Sequence, residues 1–199
     1  MNWKSLLFIL LLGYGAYQVL GPSSNPKIVH GPGVTAPQEP IQHKSSDTEQ
    51  IEVNGYRVQP LESFSIMARV LSTKHFSFDR GADISPVDLA LGWGPMSDES
   101  VLSNIRIKQS NRWYHWQTDD FPIPRREIET NSANMHMIPA NEEIEEKLKA
   151  IHEGQIVRIN GYLVEVEAED GWRWRSSLTR NDTGAGACEL VWVESISIL

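Results

Sequence analysis

The sequence predicts a mostly β domain of the α+β class, closed into a small barrel with one clear helix. The domain follows an N-terminal transmembrane helix and a disordered tether. Three observations carry this reading. Between Ile51 and Ile196, short stretches alternate apolar and polar residues with the period of a half-buried strand. One stretch, residues 141–151, has helical spacing with its start clearly marked. Residues 5–20 carry no charge, and Pro22, Pro26, Pro32, Pro37 and Pro40 punctuate the stretch after them.

The N-terminal run is centred on Leu6-Leu7-Phe8-Ile9-Leu10-Leu11-Leu12. As a helix it measures roughly 24 Å, slightly short of a hydrocarbon core of about 30 Å. Trp3 and Tyr17 are placed to anchor it at the two interfaces. Lys4 precedes the run and no cation follows until Lys27, so the positive-inside rule puts the N-terminus in the cytoplasm and the rest outside. A cleaved signal peptide has the same basic start and apolar core, with Gly13-Tyr14-Gly15-Ala16 near a possible cut. A clean Ala-x-Ala and a lipoprotein cysteine are both missing there. The expected organisation is therefore residues 1–20 as anchor or uncleaved signal, 21–50 as proline-rich disordered linker, and 51–199 as a periplasmic β domain. Extended at about 3.1 Å per residue, such a linker reaches on the order of 90 Å.

Within the domain, Ile51-Glu52-Val53 and Tyr56-Arg57-Val58 flank Asn54-Gly55, a hairpin signature. Residues 64–71 alternate as a long strand. Ser85-Pro86 reads as a helix start, with Ser as N-cap and Asp88 favouring the dipole, and Gly92-Trp93-Gly94-Pro95 stops it. Ser97-Asp98-Glu99-Ser100 caps a short turn. Residues 105–109 and 112–116 form two strands joined at Ser110-Asn111, and Pro122 and Pro124 enforce a loop. In the clearest helix, Asn141 is the cap, acidic residues fill the first turn, Lys147 and Lys149 come late, and Ile144, Leu148 and Ile151 share one face. Residues 154–167 form a long strand that Gly161 allows to bend. Glu169-Asp170-Gly171 turns it into Trp172-Arg173-Trp174-Arg175, and residues 188–196 close the sheet.

The run Glu153-Gly154-Gln155-Ile156-Val157-Arg158-Ile159-Asn160-Gly161-Tyr162-Leu163-Val164-Glu165-Val166 is similar to OB-fold strands, where a glycine interrupts a long curved strand. The resemblance implies an OB-like or related barrel; a roll or sandwich fits the same pattern. Residues 85–98 and 176–189 together resemble a family of Gram-negative membrane-anchored, periplasm-facing proteins with no assigned activity. That resemblance implies an inner-membrane anchor and a periplasmic domain. It implies no site residues.

Composition narrows the function. Hydrophobic residues at 40% and charged residues at 22% suit a globular domain. A net charge of -8 repels phosphate, so nucleic acid is not an expected partner. Arg173, Arg175 and Arg180 are the best candidate for a local basic patch. Cys188 is the single cysteine, so no internal disulfide holds the fold.

Five constellations are candidates for chemistry. The loop from Ser176 to Ala187 offers Arg180 for an anion, and its Asp182-Thr183-Gly184 has the letters of an aspartic-protease motif. It also reads as a long hairpin loop with an Asx turn. Trp93 between two glycines is a ligand platform or a plug for a barrel end. Met135-His136-Met137 has the donors for copper, with Cys188 as an added soft ligand, or is an irregular packing segment. His115 with Ser97 or Ser177 and Asp119 or Asp120 has triad chemistry without a nucleophile-elbow pattern. Trp172 and Trp174, with Trp113 and Trp116, form an aromatic surface or the core. The expectation is a non-enzymatic, membrane-tethered envelope module that binds an envelope protein or cell-envelope ligand through Trp93, Trp172, Trp174, Arg180 and Asp182, with no cofactor. A periplasmic hydrolase and a copper-handling protein are the alternatives.

Overall fold

The structure is a computed structural model, and it describes Trp3, Ser5, Leu7, Phe8 and residues 27–45, 49–179 and 188–199. The described part is mostly β, as the alternation requires. The strands are β1 (Ile41–Lys44), β2 (Ile51–Val53), β3 (Tyr56–His75), β4 (Val87–Gly92), β5 (Arg106–Ser110), β6 (Trp113–Gln117), β7 (Ser132–Pro139), β8 (Ile156–Ala168), β9 (Arg173–Arg175) and β10 (Glu189–Ile198). Among the residues described from Lys27 onward, three α-helices interrupt them: α1 (Glu99–Leu102), α2 (Arg125–Thr130) and α3 (Glu142–Lys149). β5 and β6 pair only with each other; the other eight strands share one sheet.

In that sheet β3 pairs with β4, β4 with β7, β7 with β10, β10 with β8, and β8 again with β3. Among the described strands only β7 and β10 run parallel. β3 is 20 residues long and pairs with β1 and β2 as well as with β4 and β8. Pro60 lacks an N–H for the ladder, and it sits where the β3–β8 register shifts. Gly161 answers a close approach: a Cβ there would lie 1.8 Å from the Trp192 carbonyl oxygen, where β8 and β10 cross next to a second register shift. Alternate residues of the five ring strands, such as Ile66, Leu89, Met137, Ile159 and Val191, face inward into one core. Ile144, Leu148 and Ile151 of α3 and its exit complete that core, which explains the helix's i, i+4, i+7 pattern. Each fully buried aliphatic side chain contributes roughly 1.5–3 kcal/mol.

Two expectations are corrected. Residues 85–92 are not a helix. Ser85 is buried and β4 begins at Val87. Every β4 residue is buried: Val87, Leu89 and Leu91 face the interior core, Ala90 packs under the β5–β6 hairpin, and Asp88 sits in a polar network. A strand covered on both sides loses its period-two signature, so the Ser-Pro start was the only cue left. Residues 27–45 are not a free linker. β1 pairs with β3, Val34 bridges Asp98, and Ala36 is fully buried, held by the Ser97 hydroxyl 3.0 Å from its N–H. Proline-rich composition marks the lack of helix, not the lack of contact.

The 54–55 hairpin turn, the β5–β6 hairpin, α3, the long β8 and the β8–β9 turn stand where the sequence put them. Residues 9–26 lie outside the described set, and with them most of the expected membrane run. Among the described residues no helix is long and apolar enough to cross a membrane.

Candidate functional site

A cleft of about 550 Å³ opens between β6, α2 and the start of β7. β6 forms one wall. Its alternation leaves Trp113 and His115 exposed and turns Tyr114 and Trp116 inward. Phe121 stands edge-to-face on Trp116, 6.1 Å between ring centroids, and the Arg125 guanidinium lies 5.8 Å over the same indole. Arg125 also donates from Nε to Glu129, one turn along α2, at 2.8 Å. Pro124 gives α2 its start, because the next turn needs no N–H from it. At the back of the cleft the Tyr114 hydroxyl meets the Ser132 Oγ at 3.2 Å, and Ser132 donates to the Ile128 carbonyl at 2.7 Å. Burial pushes the Tyr114 phenol up to about 12, against the smaller effect of that Ser132 bond. Trp113 and Phe121 remain 42% and 55% exposed, although both are large enough to drive burial.

The cleft gathers several residues the sequence singled out. Trp93 is 1% exposed and belongs to the interior core, with one edge on the cleft. His115, Trp113, Trp116, Cys188 and the buried Glu189 line it. Arg180 and Asp182 lie outside the described residues, but the flanks of their loop, Thr179 and Cys188, are both on the cleft wall. The loop base is fixed where Ser177 N–H donates to the Cys188 carbonyl at 3.1 Å and Leu190 N–H donates to the Ser176 hydroxyl at 3.0 Å.

Other expected groupings do not form. Ser97 does not line the cleft; its hydroxyl is engaged by Ala36 and by the Gly94 carbonyl. Asp119 is held by a two-pronged bond from Arg106, 3.0 Å on each oxygen. Met135 and Met137 point into the core while His136, between them on β7, points to the opposite face, so the three donors do not converge. Among the described residues no three His, Cys, Asp or Glu side chains are grouped to hold a metal ion. Arg173 and Arg175 each meet a carboxylate across the ladder, Glu167 and Glu165, so the basic patch is locally neutralised.

Trp172 and Trp174 do share one face, but arginines of the same chain cover them. Arg80 lies 4.8 Å over Trp172 and Arg112 lies 5.4 Å over Trp174. Beneath Trp174 is a polar network that the sequence reading missed. Asp88 is 1% exposed; the Arg112 Nη1 reaches its Oδ1 at 3.1 Å and the His136 Nδ1 lies 2.9 Å from the same oxygen. Arg112 also donates to Asp79 at 2.8 Å and to the Ser85 carbonyl at 3.2 Å. Burial works to raise the Asp79 carboxyl, but Arg112 and two backbone N–H groups hold it below its ordinary value. Gln109 and Asn134 extend the network. It ties the β5–β6 hairpin to β4 and β7, and so positions the cleft wall. The signal available in the sequence was Asp88 itself, a carboxylate inside the apolar run Val87-Asp88-Leu89-Ala90-Leu91.

Comparison of the chain with protein-family models, with curated proteins and with solved structures finds no match among any of the three.

Proposed function

We propose that this protein is a non-enzymatic envelope module, anchored in the inner membrane by residues 5–20 with its N-terminus in the cytoplasm, that binds an envelope protein or cell-envelope ligand in the periplasm through the β6–α2–β7 cleft. The cleft carries the reading: it is concave, and its rim keeps Trp113 and Phe121 exposed beside polar groups from Arg125, Glu129 and Asn134. Aromatic platforms of this kind stack on sugar rings and on peptide side chains, and they give affinity without a reacting group. The net charge of -8 argues against nucleic acid as the occupant.

The scaffold reads as an OB-like barrel. The ring order of the ladders, the parallel β7–β10 pair, a first ring strand that serves two neighbours, and a helix between β7 and β8 all support it. The cleft then lies beside the insertion between the second and third ring strands.

The test is gentle crosslinking of the full-length protein in cells, comparing wild type with a Trp113→Ala, Phe121→Ala double variant. The double variant is expected to lose at least ten-fold of the specifically captured partner while its melting temperature stays unchanged. Equal capture by both proteins would remove the cleft as the binding site.

A further inference from the structure

The contacts of residues 27–36 set how far the domain can stand from the membrane. Ile28 N–H donates to the Glu153 carbonyl at 2.9 Å, His30 Nε2 lies 2.6 Å from the Gly154 carbonyl oxygen, and Lys27 Nζ meets the Glu153 carboxylate at 2.8 Å. Gly33 N–H then donates to Asp98, and Thr35 and Ala36 hold Ser97. The approach is built in at the backbone. Gly154 has φ +90°, and a Cβ there would lie 1.9 Å from the Ile28 carbonyl oxygen, so the chain passes through space that only glycine leaves open. From Leu20, the end of the apolar run, to Lys27 there are seven Cα steps, on the order of 25 Å fully extended. A domain of this size is itself about 40 Å across. The leash is shorter than the body it holds.

We infer that the corner of the domain around Gly154 rests on the surface of the bilayer in which the chain is anchored, making contact through Lys27, Ile28, Val29, Ile198 and Leu199. This rests on the anchor in the proposed function, and it adds an orientation and a lipid contact to it. Ile28 and Val29 are 41% and 67% exposed at the corner. Leu199 N–H donates to the Ile156 carbonyl, two residues from Gly154, which brings the exposed Ile198 and Leu199 to the same end of β8. Lys27 pairs with Glu153 and Lys149 with Glu145, and among the described residues Lys74 makes no ion pair. His75 is held below its ordinary value first by burial and then by Lys149, His152 and Lys74. Leu7 and Phe8, within the apolar run, are helical and exposed, so the domain does not cover them.

The experiment reconstitutes the full-length protein, in a Cys188→Ser background, into phosphatidylcholine–phosphatidylglycerol vesicles containing a spin-labelled quencher lipid. Single cysteines at Val29, Leu199 and Glu169 carry a fluorophore. Glu169 lies just past the far end of β8, which is roughly 40 Å long. Quenching at positions 29 and 199 is expected to exceed that at 169 by three-fold or more, in protein that stays in the vesicles after a carbonate wash. Retention with equal quenching at all three positions, or with the strongest at 169, overturns the contact while leaving the anchor standing. Release by carbonate overturns the anchor, and the contact with it.

Discussion

Tyr114 shows how much a single position can report. Its phenol is held neutral at the back of the cleft, with its pKa pushed up from 10.0 to about 12 by burial. A group whose folded pKa lies above its unfolded one stabilises the fold fully below the unfolded value and stops doing so as pH rises through the folded value. Stability is therefore expected to fall between pH 10 and about 12, and Tyr114→Phe is expected to flatten that fall in urea melts across the range. A wild-type slope retained by the variant would place the titrating phenol elsewhere. Single residues were legible in the sequence where one side chain decides its own fate. Asn141 at its cap, Asn54-Gly55 in its turn and Gly161 in its bend act through local geometry alone. Asp88, Arg112 and His136 were not, because their meaning lies in one another. They are 24 and 48 positions from Asp88, and only the β4–β7 register and the β5–β6 turn bring them together.

Elements behave the same way. α3 announces itself because it has one wet face and one dry face, and β8 because it is long and regular. β4 was misread because tertiary cover hides its period, and its cover includes the β5–β6 hairpin. That hairpin is held by Arg112, which sits at a left-handed backbone position, φ 64°, straight after Asn111 at φ 50°. Truncating one partner of a buried pair leaves the other charge uncompensated, a cost of about 3–5 kcal/mol. Arg112→Ala is therefore expected to lower stability by that order and to speed amide exchange across β5 and β6. Arg106→Ala, which removes an exposed pair with Asp119, is expected to leave stability close to wild type. Similar losses from the two variants would mean that Asp88 does not depend on Arg112. The cleft was legible only in part. Its aromatic residues stood out by type, but which of them form a wall and which fill the core depends on the docking angle of the hairpin.

For the whole molecule, the sequence suggested a body beginning at Ile51 on a long leash, and among the described residues contacts with the sheet reach back to Lys27. Composition could not show this, because residues 27–45 make their contacts through backbone groups and small side chains rather than through an apolar pattern. A domain starting at Lys27 is expected to melt several degrees above one starting at Ile51, which lacks β1 and the buried Ala36. Equal melting temperatures would mean the segment adds nothing to the fold. Under the proposed anchor and cleft ligand, the same segment would give the protein a mechanical character. With the N-terminus held in a bilayer and a ligand seated in the cleft, tension between them loads the Ile28–Glu153 bond before it reaches the sheet. Peeling residues 27–36 would release on the order of 30 Å of slack while leaving the core closed. The joint would then act as a shock absorber, yielding a measured length under load and re-forming when the load is gone.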